Sequence, residues 1–308
     1  MKKHPHHGLF LLSLLLALIT VLVFAPDAFL TMLARAFLPW WSAGLFVLGV
    51  FAFWKRSNWF GGVSLCGAIA ILPQVMVPAA EMLEPRTEHG LRLAHLNVFQ
   101  GNDDYNAVIA SVLEADADVI SVQEVGPEWA VALSTALSEK YPHAQVVPRT
   151  NCSGIALFSK LPFKRAEVIE IARTPFIDAT VEMDGRLLRV IAAHATSPGG
   201  YGRFLRRNEQ LDALAGIIRD SGEPVVLIGD LNTVHWDDAY RRFCVVSGAR
   251  PMNSSMELTW PSVGPFALMP LDHALIKGPL SPARFRSFRI SGSDHRGLVA
   301  EIRHAHAS

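Results

Sequence analysis

The chain has 308 residues, of which 50% are hydrophobic and only 18% charged, and its formal net charge is zero. Charge is unevenly spread: residues 1–85 hold five basic and three acidic side chains, the remainder 23 basic and 25 acidic. These figures exclude a wholly soluble chain, a disordered one and a strongly basic nucleic-acid binder, and they leave about 220 residues for one well-buried core.

Three apolar runs come first, at about residues 8–25, 37–54 and 59–80. Each approaches the roughly 20 residues that a helix needs to cross a hydrocarbon core. Trp40, Trp41, Trp54 and Trp59 flank the runs, where amphipathic rings favour the membrane interface. Pro73 and Pro78 predict a kink or an early stop in the third run. Two other readings compete. Residues 1–25 resemble a signal peptide, but Val23-Phe24-Ala25 is not an A-x-A cleavage site and two more apolar runs follow. The second and third runs also suit a helical hairpin that stops short of a full crossing. Lys2, Lys3, Lys55 and Arg56 outweigh the single Arg35 of the intervening loop, which puts the N-terminus and the Lys55 loop in the cytoplasm. Three crossings then leave residue 86 onward outside, on the periplasmic or outer face. The expected domains are a transmembrane region over 1–85 and a globular domain over 86–308, with residues 81–90 as a polar linker.

Beyond the linker, strand-like and helix-like segments alternate. Strands are predicted over 91–98, 118–123, 144–147, 154–159, 165–171, 177–183, 187–193, 224–228, 271–276, 284–289 and 297–303. Helices are predicted over 103–115, 127–140, 203–220 and 237–246. Many strands with few helices predict two packed sheets with helices outside. Cys66, Cys152 and Cys244 make neither a disulfide framework nor a zinc site, and Cys152 and Cys244 are either free or paired.

Polar residues recur at the ends of the apolar strands. Asn97, Glu124, His194, Asp230, Asn232, Asp272, Asp294 and His295 all fall there. Such groups are costly to bury alone, so several at one sheet edge suggest a shared polar site. Hard oxygen donors with two imidazoles suit magnesium or manganese, which needs few protein ligands when a phosphate supplies the rest. Each residue also has a plainer reading: Asn97 and Asp272 as turn residues, Glu124 as a helix cap, Asp230 and Asn232 as an Asx turn. Arg203, Arg206 and Arg207 read as a solvated helix face. Arg203 follows the glycine-rich loop after His194, and Arg203 and Arg173 are candidates for contacting substrate phosphate.

The segments around Asn97, Glu124, Ser153–Ser159, His194, Gly229–Asn232, Asp272 and Ser293–His295 appear in the order found in the endonuclease/exonuclease/phosphatase superfamily. The chain resembles a branch of it anchored by three N-terminal transmembrane helices. The resemblance implies an α/β fold, a four-layer αββα sandwich of two facing mixed sheets with outer helices, and a divalent-metal site at one edge. It also implies roles. Glu124 would be the main metal ligand, beside Asn97, with Asp294 a further direct or water-mediated ligand. Asp230 and Asn232 would orient or deprotonate the attacking water. His295, oriented by Asp272, would stabilise the phosphate or transfer a proton, and His194 would bind a phosphoryl oxygen or protonate the leaving group. The base is either Asp230 or the His295–Asp272 pair.

The resemblance leaves the substrate open. A duplex nuclease needs a basic surface, which this near-neutral chain lacks. The expectation is therefore a magnesium- or manganese-dependent phosphoesterase at a membrane, acting on a lipid or lipid-linked phosphate or pyrophosphate, as some three-helix relatives are thought to do. No obligate protein partner is evident. An extracytoplasmic nuclease is the second expectation, and a non-catalytic membrane binding protein on the same fold is the third.

Overall fold

Apolar helices come first in the computed structural model, which describes residues 5–26, 28–77, 79 and 90–305. Residues 81–89 of the predicted linker lie outside the described residues. The chain forms two units, one of residues 1–77 with 235–238 and one of 78–234 with 239–308.

In the first unit, α1 (Pro5–Phe24), α2 (Phe29–Arg35), α3 (Leu38–Trp54) and α4 (Asn58–Val75) follow one another. Pro26 lacks an amide proton and ends the first run, so the short α2, which the sequence pattern conceals, turns away from α1 by 98°. The α4 helix ends at Val75, two residues after Pro73, an early stop of the kind the prolines predict. Three separate spans are predicted. Among the described residues, by length and composition α4 alone is long and apolar enough, or two spans if α1 and α2 count as one bent crossing, while α3 has 17 residues. Small residues let these helices approach closely: a Cβ on Gly49 would lie 2.7 Å from Leu65, and one on Gly67 2.5 Å from Ile19. Ser42 Oγ of α3 donates to the Ala68 carbonyl of α4 at 2.9 Å. Arg35 is buried, its Nη1 donating to the Ala25 carbonyl (2.9 Å), and its own carbonyl accepts Trp236 Nε1 (2.7 Å). The outward faces remain apolar: Phe46, Val47, Val50, Trp54 and Trp59 are all exposed.

The second unit begins with β1 (Leu91–Asn97), α5 (Tyr105–Ala115), β2 (Val119–Gln123), α6 (Pro127–Leu137), β3 (His143–Val147) and β4 (Ile155–Ser159). It continues through β5 (Arg165–Ile171), β6 (Thr174–Met183), β7 (Arg186–His194), α7 (Tyr201–Arg219), β8 (Val225–Asp230) and α8 (Asp238–Ser247). It closes with β9 (Arg250–Pro251), β10 (Asp272–Lys277), β11 (Leu280–Arg289) and β12 (Arg296–His304). One six-stranded sheet runs β11-β12-β1-β2-β4-β3, the other β5-β6-β7-β8-β10-β9. Each contains one parallel pair, β1 with β2 and β7 with β8, among antiparallel neighbours. The strand predicted from residue 284 starts at Leu280, with a register shift between Pro282 and Arg284. The short β9 carries no sequence signal.

Successive strand residues face opposite ways, and three cores result. Leu93, Val119, Val190, Val226 and Ala274 pack between the sheets. Leu96, Ile120, Val112 and Leu133 join the first sheet to α5 and α6. Leu227, Leu275, Leu214 and Phe243 join the second sheet to α7 and α8. The result is helices, sheet, sheet, helices, as the sequence predicts. Cys66, Cys152 and Cys244 are all free thiols.

Candidate active site

Alternation also decides where the polar residues point. In β1 the core residues Leu91 and Leu93 share a face with His95 and Asn97. In β8 Val226 and Ile228 lead to Asp230, and in β7 Val190 and Ala192 lead to His194. In β10 Asp272 precedes Ala274 and Ile276. The aliphatic core between the sheets therefore ends in a polar layer at one edge. Strand pairing sets Asp230 beside both Asp272 and His194. Gly229, at φ 153°, brings β8 against β7 just before Asp230; a Cβ there would meet the Ala193 carbonyl oxygen at 1.8 Å.

Hydrogen bonds join the layer. Asn97 Nδ2 donates to Glu124 Oε1 (3.3 Å) and to Asp230 Oδ2 (3.2 Å). Glu124 has φ 62° and also accepts the Gln100 amide at 2.8 Å. Asp230 Oδ1 accepts the Asn232 amide (2.8 Å), the Asx turn that the sequence allowed, and Asn232 Nδ2 donates to the Ala195 carbonyl (2.9 Å). Asp272 Oδ2 lies 2.9 Å from His295 Nδ1, and His295 Nε2 lies 3.7 Å from Asp230 Oδ2. His194 Nε2 lies 3.8 Å from the same oxygen. Ser293 Oγ donates to the Asn97 carbonyl (2.7 Å) and accepts the His295 amide (3.0 Å), which ties the last loop to β1. Trp260 Nε1 donates to Asp294 Oδ2 at 2.8 Å and leaves Oδ1 buried with no protein partner.

Burial and neighbouring charge separate the titrating groups. Burial, with Asp272 and Glu124 adding to it, pushes the Asp230 carboxyl up to about 8 against the pull of His295. Burial disfavours a charged His295, but Asp272 and Asp230 outweigh it and raise the imidazole to about 10. Asp272 is buried too, yet the charges and hydrogen bonds of His295 and His95 hold it well below the usual carboxylate range. Burial, then the charge of His295, depresses His194 to about 3.

Asn97, Glu124, His194, Asp230, Asn232, Asp272 and His295 thus come together through contacts of 3.8 Å or less. Asp294 adjoins them next to His295, whose raised pKa includes its charge. Arg203 is exposed in the first turn of α7, and its charge reaches His194. Arg173 is exposed at φ 66° in the turn after β5, and among the described residues no hydrogen bond or ion pair links it to the cluster. Arg207 departs from its predicted solvated setting. It has no exposed surface, and its Nη1 donates to the Asn232 carbonyl at 3.2 Å. His95 escapes the sequence reading altogether. Its Nε2 lies 2.6 Å from Asp272 Oδ1, and the available signal is its place on the Leu91–Leu93–Asn97 face.

The donors suit a hard divalent cation. Oxygen ligands dominate, Asp294 Oδ1 is a buried acceptor without a partner, and the raised pKa of Asp230 marks a carboxylate short of positive charge. Asp230, Asp272 and His295 each offer a ligand atom within 4.8 Å of the others. Both Asp272 oxygens already accept imidazoles, however, so Asp272 stands behind the site as an orienting group. Glu124, Asp294 and Asp230 with Asn97 are the residues that would hold a cation, Asp294 through its unpartnered Oδ1 and Glu124 and Asp230 through oxygens that now accept amide N–H groups.

A family model described as Endonuclease/Exonuclease/phosphatase family matches residues 94–295. No curated protein matches the sequence. Among solved structures, D. rerio TDP2 complexed with single strand DNA product has 17% identity and a TM-score of 0.59, over 70% of this chain and 100% of that one. The human Nocturnin catalytic domain with bound sulfate anion has 17% identity and a TM-score of 0.58, over 73% and 98%. Sphingomyelinase C from Streptomyces griseocarneus has 18% identity and a TM-score of 0.52, over 70% and 99%. Identities this low speak for the fold alone. The matched span runs from β1 through His295 and encloses every polar strand end described above, and the chain belongs to the endonuclease/exonuclease/phosphatase family of phosphoester hydrolases.

Proposed function

We propose that this protein is a membrane-anchored phosphoesterase whose polar cluster, with a divalent cation such as magnesium or manganese that it would hold, directs water in line at the phosphorus of a lipid or lipid-linked phosphate while the opposite phosphorus–oxygen bond breaks and the leaving oxygen takes up a proton. The observation that carries this reading is the row Asp272–His295–Asp230 beside the Glu124–Asn97 pair. Glu124, Asp294 and Asn97 would hold the cation, which would supply positive charge to a phosphoryl oxygen. Asp230 keeps its own proton below about 8 without a cation, and would take the proton of the attacking water once a bound cation favours its ionised form. Its Oδ1 is fixed by the Asn232 amide at 2.8 Å and Oδ2 accepts the longer Asn97 contact at 3.2 Å, so Oδ2 is the oxygen that would take that proton. His295 is a cation at neutral pH and offsets the charge growing on the phosphoryl group. Asp272 keeps its Nδ1 occupied, so Nε2 is the atom that faces substrate. The gaps of 3.7 and 3.8 Å from Asp230 to His295 and His194 exceed hydrogen-bond length and suit an intervening oxygen. His194, neutral by burial, binds that oxygen, and Arg203 reaches a second phosphate group at the rim, with Arg173 the other candidate.

The lipid assignment rests on the apolar helices, whose outward faces carry Phe46, Val47 and Trp59, and on a globular part without excess positive charge for nucleic acid. In this reading α1, α3 and α4 cross the bilayer; 17 residues lies at the short end of what spans. Three crossings from a cytoplasmic start leave the cluster outside. A topology reporter fused after Ser308 is expected to read as extracytoplasmic, and a cytoplasmic signal would reverse the orientation.

The chemical test is release of product from bis-p-nitrophenyl phosphate and from lipid pyrophosphates in liposomes, with magnesium and then with EDTA. Equal rates with and without chelator would remove the metal-dependent mechanism. Turnover of DNA but not of liposomal substrates would make the protein a nuclease. Glu124→Ala and His295→Ala are each expected to lower the rate by more than about a hundredfold.

A further inference from the structure

Asp272 is gripped from two sides, and the reaction outlined above uses only one of them. His295 Nδ1 meets Oδ2 at 2.9 Å, while His95 Nε2 meets Oδ1 at 2.6 Å. The second contact crosses the sandwich, because His95 belongs to β1 of one sheet and Asp272 opens β10 of the other. Neither residue has any exposed surface. Leu91 and Leu93 precede His95 on the same face of β1 and lie in the core between the sheets. An aliphatic side chain at 95 would continue that pattern without the cost of burying an imidazole, so packing gives no reason for a histidine here.

We propose that His95 is a positioning residue for the hydrolysis described above, acting through Asp272. The Asp272 backbone is already pinned: its amide donates to Thr259 Oγ1 (3.2 Å) and its carbonyl accepts Asn253 Nδ2 (3.2 Å). Only the side-chain torsions remain to be set. A carboxylate with a single partner keeps a rotation about Cβ–Cγ, whereas donors on both oxygens remove it. The His95 N–H on Oδ1 therefore fixes the direction in which Oδ2 meets His295, and so aims His295 Nε2 at Asp230. Outer partners of this kind typically change rates by about ten- to a hundredfold.

The inference rests on the phosphoesterase reading, and its test separates the two. Full-length protein in detergent is assayed with magnesium and bis-p-nitrophenyl phosphate. His95→Leu, which keeps apolar volume and removes the N–H, is expected to lower kcat by about ten- to a hundredfold while KM moves less than about threefold. His95→Gln, which returns an N–H, is expected to recover most of the loss. In an Asp272→Asn background, His95→Leu is expected to add nothing further. Nitrogen-15 histidine NMR is expected to show a displaced His295 Nδ1 resonance in His95→Leu, whatever the activity. Wild-type kcat in a folded His95→Leu, a full loss on top of Asp272→Asn, or an unmoved His295 resonance would each overturn the positioning role. If His95→Leu does not fold, His95→Met, which also removes the N–H, and its combination with Asp272→Asn carry the same comparison. A wild-type protein that releases no nitrophenolate overturns the phosphoesterase reading instead, and the NMR comparison still decides the role of His95.

Discussion

His295 stands between two carboxylates that face each other across antiparallel strands, with Nδ1 2.9 Å from Asp272 and Nε2 3.7 Å from Asp230. One buried imidazole thus serves two carboxyl groups, and their situations differ. Asp272 receives N–H groups on both oxygens and stays ionised. Asp230 shares the more distant side of His295 and is driven up to about 8.

This asymmetry makes the cation-free protein sensitive to rising pH. Asp230 binds its proton more tightly when folded than in the unfolded chain, where the value is about 4. Its contribution to stability is therefore full below about 4 and is lost as pH rises through about 8. His295 has the same sign: its contribution is full below about 6.5 and is lost as pH passes about 10. In EDTA, thermal melting is expected to fall steadily from about pH 6 to pH 10, and magnesium is expected to restore most of the loss above about pH 7. Asp230→Asn abolishes the carboxylate. It is expected to melt a few degrees higher than wild type at about pH 8 without metal, while losing activity by more than about a hundredfold. A mutant less stable than wild type at that pH would show that the Asp230 charge is already compensated.

Acid acts through different residues. Burial holds His194 near 3 and His273 near 4, so both fold in the neutral form. Their contribution to stability is present above about 6.5 and is lost as pH falls toward those values, because the unfolded imidazoles take up protons first. Denaturant titrations between about pH 7 and pH 4 are expected to show this decline, and His194→Asn to flatten it. An unchanged slope in that variant would show that His194 is not held neutral.

How far these features are legible in the sequence depends on whether they repeat a pattern. The two-residue alternation that makes Leu91 and Leu93 core also aims Asn97 inward, and the same logic carries Val226 and Ile228 to Asp230. Strand ends with an abrupt polar residue therefore announce the cluster. His95 breaks the pattern inside a strand, where one histidine among aliphatic residues has no partner visible in sequence; Asp272 is 177 positions away. Arg207 hides differently. In a helix rich in arginine, nothing local separates the buried one from Arg203 and Arg206, and only the Asn232 carbonyl beneath it does. The α2 helix is concealed because its seven residues fall in the loop between the first two apolar runs, too short a stretch to show a helical period.

Cation binding has an optical reporter in place. Trp260 donates its indole N–H to Asp294 Oδ2, and the other Asp294 oxygen is buried and unpartnered. A cation held by Asp294 changes the field along that indole. Magnesium or manganese titration is expected to shift intrinsic fluorescence with a single saturating curve, and Trp260→Phe to remove that component although six other tryptophans remain. A response that survives Trp260→Phe would place the cation away from Asp294.

Two arginines on one helix should separate structure from substrate. Arg207 has no exposed surface, and it holds the carbonyl of Asn232, a residue kept at φ 49° where side chains are strained. Arg207→Met removes a buried charge and frees that strained turn. It is expected to destabilise the protein by about 2–4 kcal/mol and to lower kcat, because the Asn232 amide that fixes Asp230 Oδ1 loses its support. Arg203, one turn earlier, is exposed. Arg203→Ala is expected to leave the melting temperature within about a degree and to raise KM severalfold for substrates with a second phosphate group. If Arg203→Ala lowered kcat and left KM alone, the arginine would act on the reacting phosphorus rather than at the rim, and the division between the two positions would have to be redrawn.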